Sequence, residues 1–399
     1  MSCFFPHRTF RHTLLQGTSL VPFQPKPDSG RLLCFIAFGN IACSSTACSI
    51  HLFSVLGKRF LMALHARLSP RSSEERSRRT VILLLLLFVI FEIPFEMTIL
   101  NHKNSYWIKQ RAIKAFGKDV ECVAVGMSHA AYGVAADYFN CKALNLANVS
   151  QSMGIDCELV KTAINKCPNL KLVIMDVSYS SFAYSIFTEP GEPWRDCYSW
   201  LYTGASEAQW WQRILDPKYY VPSLLFGSEK IWKILRFKLK DKDAKDIDES
   251  TFVTPRGWIL VFHEPVFSNK NGFDRVKFHE KQCRDELIKT NQERLTEVLE
   301  QCKKHNIKVL FLTLPVWKTY SQHMNKSRWN ISRSIVQNYC NKYGCDYGDY
   351  LEDSRFVDAD FVDDDHLSIA GALKMSKILQ KEHIDKMLSE SCQTTHLSK

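Results

Sequence analysis

The chain has 399 residues, 45% hydrophobic and 24% charged, which is typical of a globular protein with one large domain or two ordinary ones. Its formal net charge of +10 suggests nucleic-acid binding, but the charge is uneven. Residues 1–80 hold 11 Lys and Arg against 3 Asp and Glu, and the remainder holds 41 against 39. The basic excess therefore precedes the most apolar stretch of the chain. This distribution indicates a membrane flank and argues against nucleic acid as a partner.

Residues 80–100, TVILLLLLFVIFEIPFEMTIL, form that apolar stretch. Its uninterrupted core, 81–91, has the length of a signal-peptide core, but no small-x-small cleavage site follows it. The whole stretch is long enough to cross a bilayer once at 1.5 Å per residue. We therefore predict an uncleaved transmembrane anchor, with Glu92 and Glu96 near the far interface or facing a protein partner.

The basic residues that precede the anchor predict its orientation. By the positive-inside rule, residues 1–79 form a basic cytoplasmic segment, and the large C-terminal part lies outside the cytoplasm. A weaker apolar run, 32–56, is a candidate second span and leaves that orientation unchanged. Met62, just ahead of the basic flank, is an alternative start of the protein.

Fourteen cysteines are many for this length, and none forms a CxxC pair. A zinc ribbon or a thioredoxin motif is therefore unsupported. Ten cysteines follow the apolar stretch and are either buried free thiols or, outside the cytoplasm, partners in disulfides. Cys340 and Cys345 are the closest candidate pair.

Apolar strand patterns alternate with helical patterns beyond residue 106. Buried strands are predicted at 120–126, 142–148, 170–178 and 307–315, and helices at 129–138, 154–166, 280–305, 331–343 and 368–389. Apolar strands separated by helices predict a mostly parallel sheet covered on both faces, a three-layer α/β/α sandwich. Ligands bind such sheets beyond the carboxyl ends of the strands.

Residues 182–278 interrupt this alternation and hold six of the nine tryptophans. The charge run 238–249 within them indicates a solvated loop. Aromatic density in an insertion suits a lid, a sugar-stacking surface or a membrane-resting face, and it equally suits the packing of a small subdomain.

Ser128 follows the first strand in the sequence Gly126-Met127-Ser128. A serine in that position is either the N-cap of the next helix or a nucleophile at the carboxyl end of a strand. A nucleophilic serine needs a base within hydrogen-bond reach and a carboxylate that orients the base. Asp363-Asp364-Asp365-His366, just before the last helix, supplies both.

The spacing within this acidic turn favours Asp363 as the residue that orients His366, while Asp364 and Asp365 remain alternatives. The same four residues are also a candidate metal site, but they would need further ligands from elsewhere in the chain. We expect no metal and no cofactor.

The order Gly-x-Ser, then Asp-x-x-His leading into a helix, resembles the SGNH (GDSL-like) hydrolase superfamily. The resemblance extends over about 115–390 and is firm at the two end blocks. It implies an SGNH-like domain at 106–390, with Ser128 as nucleophile, His366 as base and Asp363 as its orienter. The form is similar to membrane-anchored members such as D-alanyl-transfer proteins and polysaccharide O-acetyltransferases.

Two features depart from the family pattern. The aspartate that precedes the family's nucleophile is Met127 here. The second block is matched best by NLANVSQSM, where Asn148 or the backbone near Ser150 and Gln151 is the candidate oxyanion donor. Ser178 is the candidate replacement for the third-block asparagine. A missing donor would slow catalysis by two to three powers of ten.

These observations predict a membrane-anchored serine esterase or O-acyltransferase acting on acyl esters of cell-surface polysaccharide. The expected partners are an acylated carbohydrate or cell-wall polymer, the membrane and an integral-membrane acyltransferase. The expected location is the cell membrane, with a single span and the catalytic domain extracytoplasmic. The alternative is a weak or inactive SGNH-fold protein that binds or assembles the polymer-modifying machinery.

Overall fold

The computed structural model describes residues 73–188, 192–225, 231–232, 251–262, 265–266 and 268–389. The apolar run 32–56, the alternative start at Met62 and the charge run 238–249 lie outside these residues. The chain divides into two units, 1–80 and 81–399, and the boundary falls within the first helix.

Eleven α-helices and seven strands are found in the described parts of the chain. The helices are α1 (Ser73–Leu100), α2 (Ser105–Phe116), α3 (Ser128–Gly133), α4 (Met153–Lys166), α5 (Trp194–Thr203), α6 (Trp210–Leu215), α7 (Asn269–Gln282), α8 (Leu287–Lys304), α9 (Lys318–His323), α10 (Lys326–Tyr343) and α11 (Ile369–Leu379). The strands are β1 (Cys122–Val125), β2 (Ala143–Asn145), β3 (Leu172–Asp176), β4 (Thr251–Val253), β5 (Ile259–Val261), β6 (Lys308–Thr313) and β7 (Asp346–Asp349).

Five strands form one parallel sheet in the order β2-β1-β3-β6-β7. The strand order reverses beside β1, because the chain first adds β2 on one side and then β3 on the other. Such a reversal opens a crevice at the carboxyl ends of the strands. The prediction of a mostly parallel sheet is confirmed, and Ser128 lies at this crevice.

Helices cover both faces of the sheet, as the three-layer prediction requires. Alternate strand residues point to opposite faces. Val123 of β1 packs into a core with α4, α8 and α10, whereas Ala124 packs into a second core with α3 and α11. Strands that are buried on both faces explain the continuous apolar runs in the sequence.

Helix α1 presents an almost entirely exposed apolar surface. Its side chains from Leu84 to Phe91 are between 37% and 72% exposed. At 28 residues it is long and apolar enough to cross a membrane. Near its C-terminal end, the Glu96 carboxylate accepts hydrogen bonds from the backbone N–H and the hydroxyl of Ser223. Glu96 therefore has a partner within its own chain.

Several predicted boundaries are wrong. The helix expected over 280–305 is two helices, because the backbone is extended at Cys283. The helix expected over 129–138 ends at Gly133 and is followed by a separate 3-10 turn. The strand β7 was not predicted, because a polar edge strand lacks the apolar run of a central one. Cys340 and Cys345, the closest candidate pair, are free thiols, so the free-thiol alternative holds for them.

The 182–278 region contains α5, α6, the β4–β5 hairpin and most of α7. Trp258 in the hairpin is buried and donates to the carbonyl of Tyr132 at 2.7 Å. The buried Lys109 of α2 donates to the carbonyls of Asn145 and Gly257, and so ties the hairpin to the end of β2. For Trp258, the structure supports the packing interpretation of the tryptophan-rich region.

Gly126 allows the chain to turn sharply between β1 and α3. Its φ is +143°, and a Cβ atom there would lie 2.3 Å from the Cβ of Asp176 on β3. The backbone N–H of Met127 also donates to the Asp176 carboxylate at 3.2 Å. Ser128 therefore reaches the crevice only because residue 126 lacks a side chain.

We predict that Gly126→Ala lowers the free energy of unfolding by more than about 2 kcal/mol, because backbone strain and steric overlap add. Gly204→Ala is the matched control: its φ is +78° and nothing lies within 4 Å of its added Cβ. The control should lose only about 1 kcal/mol. Urea unfolding of the full chain, followed by circular dichroism, measures both. Equal losses would contradict the proposed close packing of Gly126 against β3.

Candidate active site

Ser128 is the first residue of α3, and its side chain does not cap the helix. The N-cap position belongs to Met127, which makes no side-chain capping bond. The Ser128 hydroxyl instead lies 2.7 Å from Nε2 of His366. The alternative interpretation of Ser128 as a helix cap is therefore wrong.

His366 is held by the carboxylate of Asp363. Its Nδ1 lies 2.8 Å from Oδ2 and 3.0 Å from Oδ1 of that residue. A carboxylate can only accept, so Nδ1 carries the proton and Nε2 is left to accept from the Ser128 hydroxyl. The structure thus brings the three residues singled out in the sequence into one hydrogen-bonded chain.

The acidic turn that carries Asp363 and His366 is rigidly built. Phe361 and Leu367 form an antiparallel bridge across it. Asp363 Oδ1 also accepts from the backbone N–H groups of Asp365 and His366, at 3.0 and 2.8 Å. These backbone hydrogen bonds orient the Asp363 carboxylate toward the His366 imidazole.

The two neighbouring carboxylates have other partners. Asp364 accepts from the Thr319 hydroxyl at 2.6 Å. Asp365 accepts from Nε of Arg275 at 2.8 Å, and its nearer oxygen lies 3.5 Å from His366 Nδ1. Among the three aspartates, only Asp363 lies within a normal hydrogen-bond distance of the ring.

Arg275 of α7 places a positive charge beside the triad. Its Nη2 lies 3.7 Å from Asp363 and 3.4 Å from His366 Nδ1. The charge of Asp365 raises the pKa of Arg275 above its ordinary value. Burial opposes ionisation of Asp365, but the neighbouring His366 and the positive charge of Arg275 outweigh it and hold the pKa of Asp365 well below its usual range. The site therefore contains an ion pair between the buried Asp365 and the partly exposed Arg275.

Two further histidines flank Asp365. His129 is 7% exposed, neither of its ring nitrogens makes a hydrogen bond, and Nε2 lies 3.7 Å from Asp365 Oδ2. Burial opposes protonation of His129, but Asp365 and Asp176 raise its pKa. Nδ1 of His279 is hydrogen-bonded to the Tyr320 hydroxyl at 2.6 Å, and burial lowers the pKa of His279 to about 3. His366 is therefore the only one of these three histidines bonded to Ser128.

A small cavity of about 110 Å³ opens at Ser128 and His366. Ser150, Ser180 and Tyr132 are among the side chains that line it. Burial raises the pKa of Tyr132 to about 12, so its hydroxyl stays protonated. A more open cavity of about 460 Å³ lies beside the three aspartates, and Arg275 lines both cavities.

The two predicted oxyanion side chains do not line the cavity at Ser128. Asn148 is buried, its Oδ1 accepts from the Ser105 hydroxyl, and its Nδ2 has no hydrogen-bond partner. Ser178 faces the hydroxyls of Ser180 and Ser181, at 3.1 and 3.2 Å. Ser150, the alternative named for the second block, does line the cavity and has a φ of +54°.

Arg275 and Asp176 were not predicted from the sequence. Asp176 supports the turn before Ser128, and an acidic residue at the end of an apolar strand was a visible signal for it. Arg275 belongs to a helix of the tryptophan-rich region. Neither its position in the sequence nor its neighbours match the motifs around Ser128 and His366, so no sequence signal pointed to it.

His129, Asp365 and His366 offer ligand atoms within 4.8 Å of one another, the spacing of a potential metal site among the described residues. Both ring nitrogens of His366 are already hydrogen-bonded, and Arg275 occupies one oxygen of Asp365. A cation there would have to displace these bonds. The bonding pattern fits an ion-pair network better than a metal centre.

No protein-family model matches the chain, and no curated protein is significantly similar to it. Solved structures do resemble it weakly. A candidate acylhydrolase from Bacteroides fragilis is 12% identical, with a TM-score of 0.36, over 72% of this chain and 100% of the other. A candidate platelet activating factor from Streptococcus pneumoniae is 10% identical, with a TM-score of 0.33, over 76% and 98%.

A carbohydrate acetylesterase family member from Sinorhizobium meliloti is 9% identical, with a TM-score of 0.29, over 68% of this chain and 100% of the other. At this level of similarity, any inference about function depends on the geometry of the site itself.

We predict that the buried His279 makes the protein sensitive to acid. Between its ordinary pKa of 6.5 and its folded-state value of about 3, the unfolded chain binds a proton there that the folded chain does not. Stability from this residue therefore falls as pH falls, by up to about 1.4 kcal/mol per pH unit.

His279→Gln should reduce the loss of unfolding free energy between pH 7 and pH 4 by about 1–3 kcal/mol. Urea unfolding at both pH values measures the difference. Parallel stability–pH curves for the variant and the wild type would show that His279 is not buried in its neutral form.

Proposed function

We propose that the protein is a serine esterase or O-acyltransferase, with Ser128 as nucleophile, His366 as general base and Asp363 as the residue that orients the base. The observation that carries the proposal is the 2.7 Å contact from the Ser128 hydroxyl to His366 Nε2, with Asp363 bonded to the other ring nitrogen at 2.8 Å. Nucleophile, base and orienting carboxylate in that arrangement define acyl-transfer chemistry by geometry rather than by sequence position.

The proposed reaction uses His366 as base, because its Nδ1 carries a proton and its Nε2 is free to accept the Ser128 proton. Ser128 Oγ attacks the acyl carbonyl carbon while His366 Nε2 takes the hydroxyl proton, and Asp363 stabilises the imidazolium. The tetrahedral intermediate collapses, the ester C–O bond breaks, and His366 returns the proton to the leaving alcohol. The acyl group is then esterified to Ser128. Water or a polymer hydroxyl, deprotonated by His366, attacks this ester and regenerates the serine.

The size of the cavity favours a short acyl group. About 110 Å³ accommodates an acetyl-sized group at Ser128 but not a long chain. The adjoining 460 Å³ cavity has Asn271 and Asp274 among its lining residues, and these polar groups suit the hydroxyls of a carbohydrate. An acylated carbohydrate or cell-wall polymer is therefore the proposed substrate.

The exposed apolar surface of α1 supports a membrane anchor. A contiguous apolar surface of this size is unusual on a water-soluble monomer. The basic residues before α1 orient the C-terminal unit to the outside of the cell membrane. Anchoring suits transfer, because acyl groups for extracytoplasmic polymers must cross the bilayer, and Glu92 is then a candidate contact for an integral-membrane acyltransferase.

A binding or assembly role is the second candidate function. The observation that favours it is that neither Asn148 nor Ser178 lines the cavity at Ser128. Without an efficient oxyanion hole, the triad would turn over slowly.

We predict that Ser128→Ala and His366→Ala each lower the turnover of an activated acetyl ester by at least about 10³-fold. The double variant should be no worse than either single variant, because the two residues act as one unit. Turnover is measured with the full chain in mild detergent. Wild-type turnover equal to that of His366→Ala would contradict catalysis and favour the binding role.

Ser334→Ala is the matched control, since this serine is exposed on α10 and bonds only to the Asn330 carbonyl among the contacts described. Its turnover should equal that of the wild type. Turnover should also survive a metal chelator. Loss of activity with the chelator, restored by a divalent metal, would support the metal site at His129, Asp365 and His366 instead.

A further inference from the structure

Helix α6 turns its apolar face away from the protein. Trp210, Trp211, Ile214 and Leu215 lie within one half of the helix circumference, since they are spaced at i, i+1, i+4 and i+5. They are between 49% and 75% exposed, and no residue of α6 is buried. We call these four side chains the α6 face.

Arg213 is the only partly buried residue of α6, and it contacts the protein. The Arg213 guanidinium lies over the Trp200 ring, 4.5 Å from its centroid, and donates to the carbonyl of Ala208. Gln212 bonds back to the N–H of Gln209 and closes the first turn. In an ordinary surface helix the apolar side packs on the core and the polar side faces water. In α6 this arrangement is reversed.

Two further exposed apolar side chains follow α6 in the sequence. Tyr220 and Leu224 are 54% and 51% exposed. Between them in sequence, Ser223 is bonded to Glu96, one turn before the end of α1. The segment that follows α6 is therefore bonded, through Ser223, to the C-terminal end of α1.

We propose that the α6 face inserts into the headgroup region of the lipid bilayer beside α1; this inference rests on the proposed membrane anchoring. Tryptophan side chains favour the membrane–water interface, and aliphatic side chains favour the acyl boundary just below it. The α6 face combines both. The bond from Ser223, eight residues after α6, to Glu96 of α1 ties this part of the chain to the proposed span. This link makes lipid a better occupant than a protein partner.

Two other occupants could also cover the α6 face and shield it from water. One is a second copy of the chain. The other is the segment 233–250 of the same chain, in which eleven of the eighteen residues are charged and five are large and apolar. Both enter the test as outcomes that overturn the proposal.

The test uses the full chain in phospholipid nanodiscs, with and without bromine atoms on the lipid acyl chains. Bromine quenches tryptophans that touch the lipid, and none of the nine tryptophans lies in α1. We expect the Trp210→Phe/Trp211→Phe variant to lose at least half of the bromine-dependent quenching. Ile214→Glu/Leu215→Glu, which keeps both tryptophans but makes the face charged, should lose a similar share. Trp317→Phe, a partly buried tryptophan at the start of α9, is the control and should keep the quenching.

Unchanged quenching in both α6 variants, with the chain recovered in the discs, would overturn the lipid contact and leave the anchor standing. A dimer in which the same tryptophans are shielded from bromine would overturn it in favour of a second copy. Failure of the chain to enter the discs would overturn the anchor and the lipid contact together. Ester turnover of the α6 variants in detergent reports separately on the catalytic proposal, and we expect it to match the wild type.

Discussion

The hydrogen bond from Ser128 to His366 joins two loops that are 238 residues apart in sequence, and the proposed chemistry depends on it. Both loops are positioned by close backbone packing. Gly126 lets the turn after β1 pass against β3, and Gly371 lets α11 approach the acidic turn, where a Cβ would lie 2.0 Å from the carbonyl oxygen of Asp360. The Asp360 carbonyl also accepts the N–H of Ser368, the N-cap of α11. The site is thus built from steric constraints as much as from polar contacts.

The ion pair between Arg275 and Asp365 connects the tryptophan-rich region to the triad. Asp365 is almost completely buried, and removing its partner would leave an uncompensated charge. Arg275 also lines both the small cavity at Ser128 and the larger one beside the aspartates. The helix that carries it is therefore part of the site.

The central strands could be predicted from the sequence because they are buried on both faces and read as continuous apolar runs, as in β3. The edge strand β7 could not, because only Gly348 in it is buried. The three residues of the proposed triad could be predicted from local sequence. Asp363 and His366 lie in one turn, and Ser128 follows directly after an apolar strand. Arg275 could not be found, since it reaches the site through tertiary packing alone.

The break between α7 and α8 shows the same limit. It occurs at Cys283 without a glycine or a proline, so no local signal marks it. The start of α11 is marked by Ser368, a residue type typical of N-caps, and its hydroxyl accepts from the N–H of Gly371. Local features such as helix caps could be predicted from the sequence. Contacts that depend on packing between distant parts of the chain could not.

The most direct test of the central claim is to react the full chain with a fluorophosphonate and to locate the adduct by peptide mass spectrometry. We expect a single phosphonylated serine, Ser128, in the wild type. We expect no adduct in His366→Ala, because the Ser128 hydroxyl is activated only through the imidazole. An adduct on a different serine, or equal labelling of Ser128 when His366 is absent, would contradict the central claim.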